Sequence, residues 1–158
     1  MTRLVVLFSL LCGAISTSFA NSIEGYWKAI DDRTGQAVSL IAIKKMPDGT
    51  FGGTMMYRYP LVNGSTPSIC AKCPQPYTNK PLIGLQVVKS FIQNPKKPLE
   101  YIQGKVLETD TGRIFSDKGT LSADGRRLRL NGFVDQSIAG RNQVWIRINN
   151  PYVEIMNN

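Results

Sequence analysis

Apolar and polar side chains alternate along most of the chain after residue 20. In one clear case Arg127 and Arg129 fall on one face of an extended segment, and Leu128 and Leu130 fall on the other. A repeat of two residues is typical of a strand that buries one face, and no 3.6-residue apolar stripe indicates a helix. The pattern predicts eight strands, near residues 24–31, 36–45, 51–58, 82–92, 100–108, 113–121, 126–134 and 142–149.

Turn sequences of a common type separate the predicted strands. Each combines an Asp, which can hydrogen-bond to its own downstream backbone, with a Gly that accepts positive φ. They lie at 31–35, 47–49, 110–112 and 123–125. Long antiparallel strands with no helices to cover a sheet bury their apolar faces by curling. The predicted fold class is therefore all-β, an eight-stranded antiparallel up-and-down barrel, and an open two-sheet sandwich is the alternative.

The first twenty residues have the pattern of a secretory signal peptide. Arg3 precedes an apolar stretch over Leu4–Ile15, and small residues stand at Ser18 and Ala20. An apolar stretch of about 12 residues is too short to cross a bilayer, which needs roughly 20, so no transmembrane segment is predicted. We expect a signal peptide (1–20) cut after Ala20, a barrel domain (21–150) and a C-terminal tail (151–158) that hangs free or lies on the barrel wall. The expected location is the periplasm or the extracellular medium.

The composition removes several classes of function. The chain contains 19 Lys and Arg against 11 Asp and Glu, a formal charge of +8, and no His. Without His, Ser-His-Asp and Cys-His nucleophiles and His-ligated metal sites are excluded. No catalytic or phosphate-binding motif is present, so no enzyme, cofactor or metal ion is predicted. The basic residues cluster at most in pairs, which does not favour a nucleic-acid partner but could steer an anionic one.

A Pro-rich segment over 58–81 interrupts the strand pattern and contains Cys70 and Cys73. We expect a loop or lid, since connections of this length in a compact domain are usually functional or disordered. The cysteine pair has three interpretations. A zinc site lacks further ligands, and a redox dithiol lacks the helix that would follow its first cysteine. We favour a local disulfide formed in an oxidising compartment.

Six segments occur in this order across the chain: IEGYWKAIDDRTGQA at 23–37, CAKC at 70–73, KPLIGL at 80–85, GKVLETDTGR at 104–113, DGRRLRLNGF at 124–133 and GRNQVW at 140–145. Together they resemble a family of bacterial exported proteins classed as a domain of unknown function, whose members look like lipocalins. The resemblance implies a lipocalin- or calycin-like barrel. It also implies structural roles for Gly25 and Trp27 at the closed end of the barrel, with Arg141 or Arg147 packed across the Trp ring. It carries no catalytic residue over.

The leading functional hypothesis is an exported carrier or sensor that holds one small apolar or amphipathic ligand inside the barrel. The ligand could be anionic, for example a fatty acid. Alternation along the strands gives nine candidate lining residues: Leu40, Met55, Leu85, Val87, Ile102, Val106, Phe115, Leu128 and Leu130. The alternative is a cell-envelope interaction module with a filled barrel, which binds through the 58–81 loop and the basic surface. An internal cavity would favour the first hypothesis and a filled interior the second.

Overall fold

Eight strands and one short helix make up the computed structural model, which describes residues 22–134 and 140–157. The strands are β1 (Gly25–Ile30), β2 (Ala37–Lys45), β3 (Phe51–Arg58), β4 (Gln86–Gln93), β5 (Glu100–Glu108), β6 (Arg113–Leu121), β7 (Arg127–Phe133) and β8 (Arg141–Ile148). Helix α1 (Pro151–Met156) follows the last strand. The predicted signal peptide lies outside the described residues.

The strands form a closed up-and-down barrel. Each strand pairs with the next, and β8 returns to pair with β1. In the closing pair Tyr26 lies opposite Ile148, and Ile30 lies opposite Val144, in antiparallel register. The predicted barrel is therefore confirmed. The open sandwich is excluded, because its first and last strands would not pair with each other.

The strand bounds agree with the predicted ones to within one residue, except at β4. Alternation predicted a strand from residue 82, whereas β4 begins at Gln86. Gly84 has φ +86°, and the amide of Leu85 donates a hydrogen bond to the carbonyl of Leu82 at 3.1 Å. A turn therefore precedes β4, because left-handed backbone at Gly84 interrupts the extended conformation that the alternation suggested.

Large side chains fill one end of the barrel, which we call the closed end. Phe51 and Tyr101 meet edge to face, with ring centroids 5.4 Å apart. The amide of Ile23 donates to the Tyr101 hydroxyl at 3.2 Å, and the indole nitrogen of Trp27 donates to the Ile23 carbonyl at 2.9 Å. The backbone of Ile23 is therefore hydrogen-bonded through its amide to β5 and through its carbonyl to β1. The segment before β1 thus crosses this end of the barrel and seals it.

The long connection between β3 and β4, residues 59–85, is held by its own disulfide. Cys70 and Cys73 are bonded, with Cα atoms 5.4 Å apart, which confirms the predicted bridge. The amide of Cys70 donates to the Lys80 carbonyl at 2.9 Å, and the Cys73 sulfur lies 4.0 Å from the Thr109 carbonyl oxygen. The disulfide segment therefore packs against the turn between β5 and β6.

Most of the described end of the chain is helix α1, which the sequence pattern did not predict, and it lies on the barrel wall, one of the two positions expected for the tail. Asn150 caps this helix, and its side chain accepts a hydrogen bond from the amide of Tyr152 at 2.9 Å. Proline at the first helical position supports the same start. Glu154 attaches the helix to β1 through an ion pair with Lys28. Nowhere in the described residues does a helix reach the length and apolarity that crossing a bilayer requires.

Gly112 is the position where the disulfide segment approaches the β5–β6 turn most closely. A side chain at Gly112 would overlap the carbonyl of Lys72, and φ there is +74°. We expect Gly112→Ala to lower the free energy of unfolding by about 3 kcal/mol in urea titrations, from backbone strain and overpacking together. Gly35→Ala is the matched control, because Gly35 has φ +71° with no atom within 4 Å of the added group. Equal losses in the two variants would contradict the packed contact.

Candidate functional site

A cavity of about 80 Å³ lies at the end of the barrel opposite the closed end, which we call the mouth. At roughly 30 Å³ per water molecule in the liquid, it has room for about three waters, or for a short alkyl chain. Apolar residues form most of its wall: Ala29, Val38, Ile41, Met55, Val87, Val106, Leu107, Phe115, Leu130 and Trp145. Polar and charged residues complete it: Asp31, Arg33, Ser39, Glu108, Thr109, Asp110, Asp117, Arg141 and Gln143.

The structure brings together five of the nine candidate lining residues. Those that border the cavity are Met55, Val87, Val106, Phe115 and Leu130. Leu85 and Leu128 are buried in the hydrophobic core but do not border the cavity. Leu40 and Ile102 do not border it either, and both face outward.

Leu40 lies on the outer face of β2. Ser39 and Ile41 both border the cavity, so Leu40 between them points to the outer face of the wall in regular alternation. The register shift beside it places the extra residue in β3, since Leu40 lies opposite Tyr57 and Ile41 opposite Met55. Leu40 is fully buried there, opposite Lys28 of β1, which binds α1 through Glu154. Leu40 is apolar although it faces outward, because the outer wall is covered at this position.

A bulge in β5 accounts for the outward position of Ile102. Gln103 has φ +61°, and the register with β6 shifts at this point. Tyr101 faces inward and is fully buried, whereas Ile102 lies opposite Ile92, which is 38% exposed. An extra residue in a strand reverses the inward and outward positions that follow it. The alternation from Ile102 to Val106 therefore does not describe one face.

Arg147, and not Arg141, packs on Trp27 at the closed end. Its guanidinium carbon lies 4.3 Å from the centre of the Trp27 ring. Its nitrogens donate to the carbonyls of Ser22 at 2.6 Å, Glu24 at 2.5 Å and Gly125 at 2.6 Å. The guanidinium thus joins the chain before β1, the ring of Trp27 and the turn between β6 and β7. These contacts hold the closed end of the barrel together.

Gly25 leaves the space that this guanidinium occupies. A Cβ atom at Gly25 would lie 2.7 Å from the Nη1 atom of Arg147, and φ there is +127°. Both the close approach and the backbone conformation require glycine. The spacing of Gly25 and Trp27 therefore seats one arginine at the closed end.

Arg141 lies at the mouth, where it joins two turns. It forms ion pairs with Asp31 at 3.2 Å and with Asp32 at 2.6 Å, both in the turn between β1 and β2. It also pairs with Glu108 at the end of β5. Because Arg141 itself begins β8, one guanidinium links three parts of the rim.

A second arginine at the mouth, Arg58, could not be singled out from the sequence. Its side chain is only 3% exposed and binds both carboxylate oxygens of Asp110, at 2.8 and 2.9 Å. It also donates to the carbonyl of Val38 at 2.5 Å. This pair ties β3 to the β5–β6 turn. Asp110, predicted only as a turn residue, therefore also forms an ion pair with a distant strand.

Among the residues that border the cavity and their ion-pair partners, acidic groups exceed basic groups, although the whole chain is basic. The carboxylates are Asp31, Asp32, Glu108, Asp110 and Asp117, and the guanidinium groups are Arg33, Arg58 and Arg141. Burial raises the pKa of Asp31, but hydrogen bonds from Thr34 and Arg33 outweigh it and lower the pKa to about 2. Asp31 therefore keeps its negative charge over a wide pH range.

Asp117 is the buried carboxyl group of the cavity wall. It lies on β6 between Phe115 and Gly119, on the inward face, and is 6% exposed. No described residue forms a hydrogen bond to this carboxyl. Burial raises its pKa to about 7, and the charge of Lys105 on β5 opposes the shift. Asp117 therefore changes its charge near neutral pH.

Comparison with known proteins identifies the relatives of this barrel. A family model described as an uncharacterized protein conserved in bacteria (DUF2147) matches residues 25–147. The chain belongs to this family. Among solved structures, protein HP1028 from Helicobacter pylori, described as belonging to the lipocalin family, is similar with a TM-score of 0.67 and 16% identity. The match covers 86% of this chain and 89% of that chain, and at this identity it shows a shared fold alone. No curated protein sequence matches.

This member of the DUF2147 family thus has a lipocalin-like barrel with two different ends. Aromatic side chains and Arg147 fill the closed end, while the mouth has a small cavity with an apolar wall and a charged rim. Within residues 22–134 and 140–157 no three metal-ligating side chains come together. The arrangement is suited to non-covalent binding of a small molecule with one polar and one apolar part.

Proposed function

We propose that this protein is exported and that it binds one small amphipathic molecule in the cavity at the mouth of its barrel. The observation that carries the proposal is the cavity itself, which combines an apolar wall with charged groups at one end of a lipocalin-like barrel. The signal-peptide pattern of residues 1–20 supports export.

The size and charge of the cavity limit the ligand. Pockets that enclose a drug-sized molecule measure about 300–1,000 Å³, whereas this one measures about 80 Å³. We therefore expect a ligand of a few carbon atoms, or one group of a larger molecule whose remainder extends past Arg33 and Asp110. A fatty-acid carboxylate, considered from the net charge of the chain, suits the mouth poorly because carboxylates outnumber guanidinium groups there.

The alternative, an interaction module with a filled barrel, is less well supported. The interior is filled at the closed end, but the space beside Met55, Phe115 and Trp145 is open. A filled barrel would not leave apolar side chains around an open space, because close packing of those groups is favourable.

The test uses the two tryptophans of the chain as internal reporters. Trp145 borders the cavity, whereas Trp27 is fully buried at the closed end. With 1-butanol as a probe, we expect the indole nitrogen–proton signal of Trp145 to shift in nuclear magnetic resonance spectra and that of Trp27 to stay in place. Val106→Phe, which adds bulk inside the cavity, should weaken the binding at least about tenfold by removing apolar contact area.

Ile114→Phe is the matched control for this variant. Ile114 lies on the adjacent strand β6 and is 41% exposed on the outer face, so added bulk there leaves the cavity unchanged. The absence of any effect of 1-butanol or other small amphipathic probes on Trp145 would contradict the proposal, as would equal weakening by the two variants.

A further inference from the structure

We propose that the ligand of this cavity carries a protonated amine, which pairs with the carboxylate of Asp117 while a short apolar chain or ring contacts Phe115 and Trp145. This inference rests on the proposed function and names the chemical class of the ligand.

The first observation is the burial of Asp117 beside the cavity. Its side chain is more than nine-tenths buried and borders the cavity, and no described residue hydrogen-bonds to it. A buried carboxyl group without a partner is costly, so natural proteins seldom keep one without a use for it. A donor brought by the ligand would supply the missing partner.

The second observation is the excess of negative charge around the cavity. Arg141 is shared among Asp31, Asp32 and Glu108, and Arg58 is bound to both oxygens of Asp110. The terminal nitrogens of these two guanidinium groups are therefore engaged by carboxylates other than Asp117, while their buried Nε atoms have no hydrogen-bond partner among the described residues. A cationic head group would balance the excess, whereas an anionic one would be repelled.

The third observation is the space and the surface beside Asp117. Gly132 of β7 lies opposite Asp117, and a Cβ atom there would come within 3.0 Å of the carboxylate oxygen Oδ1. With glycine at this position, the carboxylate is not covered from β7. Phe115 and Trp145 border the same cavity, and aromatic rings attract ammonium groups as well as alkyl chains.

The experiment compares three probes with the same four-carbon chain: n-butylamine, 1-butanol and butanoate, each titrated at pH 8 while the Trp145 indole signal is followed. We expect n-butylamine to bind at least about tenfold more tightly than 1-butanol, because an ammonium–carboxylate hydrogen bond is stronger than a neutral one. We expect butanoate to bind most weakly. Asp117→Asn should weaken n-butylamine binding at least about tenfold and change 1-butanol binding by less than about threefold.

Asp48→Asn is the control for the loss of one negative charge. Asp48 lies in the turn between β2 and β3 at the closed end, and the hydrogen bond that its side chain accepts from the amide of Thr50 can be kept by asparagine. This variant should bind all three probes like the unchanged protein. If Asp117→Asn does not fold, the unchanged protein still gives an answer, since n-butylamine binding should weaken on going from pH 8 to pH 5.5 and 1-butanol binding should not. The charged groups around Asp117 in that range are Lys105 on β5 and Arg141, Glu108 and Asp31 on the cavity wall.

The outcomes separate the inference from the proposed function. If 1-butanol or butanoate binds at Trp145 as tightly as n-butylamine, or if Asp117→Asn binds n-butylamine unchanged, the amine assignment is wrong and the binding cavity stands. If no probe shifts Trp145 at any pH, the proposed function fails and the amine assignment fails with it.

Discussion

Asp117→Asn is expected to stabilise the folded protein by about 4 kcal/mol more at pH 8.5 than at pH 4. Burial raises the pKa of Asp117 from 3.8 to about 7, so the folded state holds this proton where the unfolded chain has lost it. A raised carboxyl pKa gives stability that is complete below about pH 4, falls as the pH rises to about 7, and stays low above. A shift of about three units corresponds to about 4 kcal/mol, at 1.36 kcal/mol per unit.

The measurement is urea unfolding of both proteins at pH 4, 5.5, 7 and 8.5, and the quantity of interest is the difference between them at each pH. Asp48→Asn should show the opposite sign. Hydrogen bonds from Thr50 lower the pKa of Asp48, so its ionised form stabilises the fold and its loss matters more above about pH 4. A difference between the Asp117 variant and the unchanged protein that does not vary with pH would contradict the burial of an unpartnered carboxyl.

Arg147→Met is expected to lower the free energy of unfolding by about 3–4 kcal/mol. The substitution removes three hydrogen bonds from a charged group to the carbonyls of Ser22, Glu24 and Gly125, together with the contact on Trp27. Buried acceptors that lose a charged donor cost about 1–3 kcal/mol each, reduced here because water can reach part of the site. Urea titration followed by tryptophan fluorescence would measure the loss.

Two further variants test whether the planar, multi-donor geometry of the guanidinium, and not its charge alone, accounts for the loss of stability. Arg147→Lys keeps the charge, but an ammonium cannot reach three carbonyls in fixed directions and stack on a ring, so it should restore less than half of the loss. Arg129→Met on the exposed face of β7 should cost less than about 0.5 kcal/mol. Full rescue by lysine would show that charge alone matters at this position.

The alternation of apolar residues and the Asp-Gly turns were enough to predict the barrel, because a period of two and tight turns are local properties. The prediction of the lining residues failed at Ile102 and Leu40 for different reasons. At Ile102 a bulge reverses the inward and outward faces, and Gln103 adopts positive φ although its residue type does not indicate a bulge. At Leu40 the strand alternates regularly, but an apolar residue buried on the outer wall cannot be told from an inward one by sequence.

Long-range pairs at the mouth were beyond the sequence for a different reason. Arg58 and Asp110 lie 52 positions apart, and nothing local to either residue indicates the other. Asp117 could have been noticed in the sequence, since it occupies an inward position of β6 and alternates with the same period as Phe115 and Leu121. A carboxyl group on the apolar side of an alternating strand is a conflict between pattern and chemistry, and such conflicts concentrate at binding sites.

The seal formed by Trp27, Ile23 and Arg147 closes the barrel at the end away from the cavity. A ligand bound in the cavity would have to enter and leave through the mouth, so nothing could pass through the molecule from one end to the other. A second protein or surface that delivers or collects that ligand would have to approach the rim, and the outer wall would stay free during the exchange.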